Sequence, residues 1–169
     1  MPIDPHEFWE FAEDYYPPLT EDMIAHAESV LGVTLPRELI DLLKVKNGSY
    51  TLGFAHPMSQ ATSSGEEYVP LAELGGIGED SELGSVFNLL TTEYMIQEWD
   101  LPERQVLLAG DGHFWISLDY RKGPVPSVAW IGSGDDYQIA PTFAAFLDGL
   151  VPITTYEPDD EDDEDDDED

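Results

Sequence analysis

The densest group of chemically capable side chains lies in GDGHFWISLDYRKG, residues 110–123, which sets Asp111, His113, Asp119 and Arg121 among three glycines. An Asp and a His two residues apart have the types needed for an orienting carboxylate and a general base, and Asp119 would add a second acid. No nucleophile accompanies them, because the GxSxG elbow that presents a reactive serine is absent. The same residues have a plainer explanation. Gly110-Asp111-Gly112 supplies the positive φ values of a tight hairpin turn. Beyond it Phe114, Ile116 and Leu118 alternate with Trp115, Ser117 and Asp119, so the strand has an apolar face and a second face free to meet a partner. On that reading Trp115, ringed by acids, is an anchor for a protein interface.

Other chemistries find less support. His6, His26, His56 and His113 are scattered with no HExxH pair, Glu79-Asp80 and Asp135-Asp136 lack the EF-hand pattern, and cysteine is absent. The glycine-rich stretches at Gly75–Gly78 and Gly132–Asp135 are accompanied by acids and no lysine, the wrong sign for a phosphate cradle. Neither a metal nor a cofactor is expected, and the chain is read as a non-enzyme.

Charge is the strongest global signal. Six Lys and Arg stand against 37 Asp and Glu in 169 residues, a formal net charge of −31. Residues 157–169 hold 12 of those acids, and residues 1–156 still carry −19. Such a field repels nucleic acid phosphates and anionic lipid surfaces and steers basic proteins toward the chain. The N-terminus has no basic stretch leading into an apolar one, and no apolar run approaches the ~18 residues that span a bilayer, so a cytoplasmic protein is expected.

The elements that would position these residues can be read from caps and periodicity. Asp4-Pro5 starts a helix expected over about 5–16. Thr20 caps a second, with Met23, Ile24, Ala27, Val30 and Leu31 on one stripe and Gly32 closing it. Pro36 opens a third that ends at Asn47-Gly48, and Thr91/Thr92 cap a fourth through Trp99. Strands are predicted over Tyr50–Phe54, Tyr68–Leu74, Val106–Ala109, Phe114–Tyr120 and Pro126–Gly132, with a mobile loop at 56–65, another loop at 75–84 and a closing helix after Pro141. The like-charge run from Glu157 should stay disordered. The fold class is therefore α+β, a mostly antiparallel sheet flanked by helices, in one domain over residues 1–156 with a tail at 157–169.

Three blocks in order resemble the SUKH superfamily, which includes fungal cell-wall assembly regulators of the knr4-like kind and bacterial immunity proteins of polymorphic toxin systems. They are LTEDMIAHAESVLGVTLPRELIDLLKVKNG (19–48), WDLPERQVLLAGDGHFWISLDYR (99–121) and PSVAWIGSGDDYQIAPTFAAFLDGL (126–150). The resemblance implies a central curved antiparallel sheet, a binding protein without catalytic residues, and in the bacterial branch direct capture of a toxin, often a nuclease. It implies that Asn47, Gly48, Gly110, Gly112, Leu118, Asp119, Tyr120 and Val128 determine the fold. The segment before Leu19 and the acidic tail depart from the pattern.

The expected function is thus an immunity protein (antitoxin) for a basic toxin domain, the alternative being a regulatory scaffold without a toxin. The expected partner surface comprises Glu66, Glu67, Tyr68, Glu79, Asp80, Glu82, Asp111, His113, Trp115, Trp130, Asp135, Asp136 and Tyr137.

Overall fold

The computed structural model describes residues 3–10, 15–59, 61–63, 65–78 and 86–156. Helix α1 (Glu21–Leu31) begins where the Thr20 hydroxyl accepts the Met23 N–H at 3.2 Å, and ends at Gly32 in the left-handed region. Helix α2 (Arg37–Val45) follows Pro36 and buries Leu39, Leu42 and Leu43. Strands β1 (Ser49–Pro57) and β2 (Tyr68–Leu74) pair antiparallel, and α3 (Thr92–Trp99) follows a short 3-10 turn. Then β3 (Gln105–Gly110), β4 (Trp115–Asp119), β5 (Ser127–Gly132) and β6 (Asp135–Ala140) form an antiparallel meander. Helix α4 (Phe143–Asp148), capped by Thr142, leads to β7 (Val151–Pro152), which returns to pair with β1 at Phe54 and Ala55.

The α+β class holds, but the single central sheet that the resemblance implied is resolved into two, ordered β2-β1-β7 and β3-β4-β5-β6. They meet where the Gly75 N–H donates to the Leu108 carbonyl at 2.7 Å. Beyond that seam β2 and β3 diverge, which creates the cleft described below.

Two predicted elements are corrected. Where a helix over about 5–16 was expected, Pro5–Glu7 makes one 3-10 turn and the chain then runs extended. Trp9 bridges Thr51, the Leu52 N–H donates to the Phe8 carbonyl, and the Glu10 N–H donates to the Tyr50 carbonyl. The Asp4-Pro5 start signal does operate, since Asp4 accepts the His6 N–H at 2.9 Å. Burying both Phe8 and Trp9 beside β1, where their backbone finds partners, then overrides the local helical spacing; residues 11–14 of that expectation lie outside the described residues. The second correction is β6, for which no strand was predicted. Ser133 and Gly134, both at positive φ, make the two-residue hairpin that launches it.

The main core joins Phe8, Trp9, Leu39, Leu42, Leu43 and Leu71 to Ile116, Leu118 and Val128 of the meander and to Phe143 and Phe146 of α4. A second cluster covers the other face of the meander. There Leu107, Trp115, Ala129 and Ile131 pack with Leu101 under Met95 and Ile96 of α3 and Phe87. The sheet that carries the GDGHFW segment is therefore covered on both sides.

The Asn-Gly pair after α2 is a latch between the two halves of the core. Buried Asn47 donates through Nδ2 to the carbonyls of Pro17 and Ile77 and accepts the Ile77 N–H at Oδ1, each at 2.8 Å. Gly48, at φ +81°, lies so close to Gly76 that a Cβ there would stand 2.5 Å from the Gly76 nitrogen. Gly75 and Gly76 of the GGIG stretch thus admit one backbone against another, and Gly78 admits the Tyr16 ring.

Candidate protein-binding surface

The Asp111–His113 pair does not form as a catalytic dyad. Asp111 Oδ1 accepts the backbone N–H groups of His113 and Phe114, both at 2.9 Å, which closes the turn. The His113 ring packs edge-on against Trp99 with centroids 5.3 Å apart, on the α3 side of the sheet. Asp119 sits at the far end of β4, buried, where it accepts Gln105 Nε2 at 2.9 Å and the Arg121 guanidinium at 2.9 and 3.0 Å. Burial pushes its carboxyl up, but the Arg121 and Gln105 hydrogen bonds outweigh that and hold it below the usual aspartate range. Arg121 also grips exposed Asp136 through two bonds of 2.8 Å. The two acids and the arginine form a clamp across β4 and β6, so Asp136 presents a largely neutralised carboxylate.

Trp115 is corrected as an anchor. It is 3% exposed and lies in the second cluster against Phe87, because α3 covers the face of β4 that looked free. Its indole Nε1 is a buried polar atom with no hydrogen-bond partner among the described residues, a cost that its apolar packing must outweigh.

What the structure does bring together is a cleft of about 210 Å³ between the two sheets. Pro70, Ala72 and Glu73 of β2 form one wall; Ala109, Gly110, Asp111, Phe114, Ile116 and Trp130 form the other. Phe114 and Trp130 stack at 5.2 Å with their planes 10° apart. Trp130 is held by its Nε1–H, which donates to Asp135 Oδ2 at 3.2 Å. Asp135 is itself buried and also accepts the Ser63 N–H at 3.1 Å, which ties the loop carrying Glu66 and Glu67 to the β5–β6 hairpin. Its role is that of a structural acceptor.

Glu66 and Glu67 are exposed, and Tyr137, half-buried, lies opposite Trp130 across the strands. Tyr68 stacks on Tyr156 at 4.1 Å. Glu79, Asp80 and Glu82 lie outside the described residues, as does the tail at 157–169. Sequence reasoning missed Glu73 and Phe114. The β4–β5 hairpin register could have found Phe114, since it pairs Ile116 with Trp130 and leaves Phe114 one step along the same face.

Glu73 is the unusual acid of this surface. It is half-buried, its carboxylate makes no hydrogen bond or ion pair with any described residue, and burial pushes that carboxyl above the usual glutamate range. A folded-state pKa raised above the unfolded one means that ionised Glu73 destabilises the fold above that pKa, and the penalty disappears as pH falls through it. Glu73→Gln should therefore raise the melting temperature by a few degrees near neutral pH, within ~1 kcal/mol for a half-exposed group, with the gain vanishing below about pH 4. Thermal melts of both proteins across pH 3–8 would check this; equal differences at every pH would refute it.

The helical pair 21–45, the Asn47-Gly48 latch, the Gly-Asp-Gly meander and the closing α4 define an α+β binding fold in which no described cluster of His, Asp and Glu could hold a metal. The chain belongs to the SMI1 / KNR4 family (SUKH-1), whose model matches residues 18–149. That family includes immunity proteins and knr4-like regulators, and its domains are generally non-enzymatic modules that bind protein partners such as toxins. No curated protein and no solved structure gives a significant match. No helix among the described residues is long and apolar enough to cross a membrane.

Proposed function

We propose that this protein is an immunity-type binding module that neutralises a basic toxin domain by capturing it. The observation that carries the reading is the −19 charge of residues 1–156 in a chain of this family. The described part of the surface offers Glu66, Glu67, Tyr68, Asp111, His113, Trp130 and Tyr137, and Glu79, Asp80 and Glu82 belong to the same proposal. Trp115 is withdrawn from it, while Asp135 and Asp136 act by holding Trp130 and Arg121. The surface combines acids that steer a cationic partner with half-exposed aromatic rings that contribute most once water is excluded.

The test is capture of the toxin domain encoded beside this gene. The complex should form rapidly at low salt and weaken at least tenfold between ~50 and 200 mM NaCl, as screening removes the steering field. Protection from the toxin without a measurable complex would overturn capture as the mechanism. Absence of any neighbouring toxin gene would turn the reading to the regulators of the same family.

A further inference from the structure

The cleft between β2 and the meander has a shape and a charge that specify more than a general acidic surface. Its floor and walls are mostly apolar, and at about 210 Å³ it admits one long side chain and no secondary-structure element. One wall is the flat, parallel stack of Phe114 and Trp130, with the indole fixed by Asp135. Two carboxylates stand in the same cleft. Glu73 has no partner among the described residues, and Asp111 uses only Oδ1 for its turn. None of the chain's six Lys and Arg lines the cleft.

We propose that this cleft seats one arginine side chain of the protein partner, its guanidinium plane and hydrocarbon stem against Phe114 and Trp130 and its N–H groups donating to Glu73 and Asp111. Arginine fits better than lysine because a planar cation stacks on aromatic faces and its fork of donors can serve two carboxylates at once. This deepens the proposed capture of a basic partner and rests on it for the source of the arginine. It also accounts for Glu73: a carboxylate that weakens the free fold is satisfied when the cation arrives.

The experiment uses the full chain and N-acetylarginine amide as probe, followed by nuclear magnetic resonance of backbone and indole N–H signals. Saturable shifts confined to Trp130, Phe114, Asp111 and Gly110 are expected, with dissociation constants in the millimolar range. N-acetyllysine amide should bind more weakly, and the norleucine analogue should not bind. Glu73→Gln, expected to be at least as stable as the parent, should weaken binding about tenfold, whereas Asp41→Asn, at an exposed position of α2 outside the proposed surface, should leave it unchanged. Shifts spread over the whole acidic surface without saturation, or an unaltered constant in Glu73→Gln, would overturn the proposal. A toxin captured equally well by Glu73→Gln and Trp130→Ala would sink the arginine seat and leave the capture reading standing. Probe binding without toxin capture would do the opposite.

Discussion

Replacing Asn47 by leucine is expected to lower stability by about 3–5 kcal/mol, enough to leave much of the protein unfolded or insoluble. The side chains are of similar size, so the loss comes from hydrogen bonding. Asn47 makes three bonds of 2.8 Å, two buried ones to Ile77 and a part-buried one to Pro17, and its removal strands the N–H and carbonyl of Ile77 and, at less cost, the Pro17 carbonyl. Each stranded buried group costs about 1–3 kcal/mol, against a total stability of roughly 5–15 kcal/mol for a domain. Asn47→Asp keeps the acceptor for the Ile77 N–H but places a charge against two carbonyls, and it should fare no better. Gly48→Ala should be nearly as damaging, because its Cβ would stand 2.5 Å from the Gly76 nitrogen at a backbone φ of +81° that alanine resists. Urea unfolding monitored by tryptophan fluorescence decides the matter. A midpoint within 0.3 M of the parent for Asn47→Leu would mean that the latch does not hold the halves together.

The second large effect lies outside the matched segment. Trp9→Ala should cost about 3–5 kcal/mol, the range for emptying a buried aromatic site. Phe8 and Trp9 are fully buried, Trp9 donates from Nε1 to the Leu42 carbonyl at 2.9 Å, and Phe8 stacks on Phe54 at 5.4 Å. Their backbone completes the edge of β1 from Tyr50 to Leu52. A chain beginning at Tyr15 retains every residue of the family match at 18–149, yet it is expected to lose cooperative unfolding. Trp9→Phe keeps most of the apolar area and should cost only about 1–2 kcal/mol. Melting temperatures of the three variants, each compared with the parent, provide the check. A fully stable shortened chain would show the segment to be an ornament.

These two cases also mark where sequence reasoning succeeds and where it stops. Helices α1 to α4 were legible from local signals such as Thr20, Gly32 and Pro36, but the expected Thr91/Thr92 cap does not form: those hydroxyls donate to the Asn88 and Leu89 carbonyls of the preceding turn. The meander through β5 was legible in the same way, from the Gly-Asp-Gly turn and the alternation after it. The extended N-terminal segment was not, since Phe8 and Trp9 find their partners at Leu42, Thr51 and Phe54, far along the chain, while the local Asp4-Pro5 signal reads as a helix start. The second face of β4 was misjudged because alternation shows which residues share a face but not whether a helix will cover it. Asp111 and Trp130, both in the expected partner surface, are among the residues that line the cleft. Glu73 was not, because the cleft results from two sheets diverging beyond Gly75 and Leu108, a tertiary event without a period in the chain.

The bond between Ser63 and Asp135 has a kinetic consequence. A recognition loop that hangs free must be ordered at the moment of capture, at about 0.5–1.5 kcal/mol for each side chain that it immobilises. Here Ser63, between β1 and β2, is already fastened to the β5–β6 hairpin, and Trp130 is fixed by the same buried carboxylate. That ordering is completed when the chain folds. In the capture proposed above, this surface meets its partner pre-organised, so the complex should owe its strength to slow dissociation.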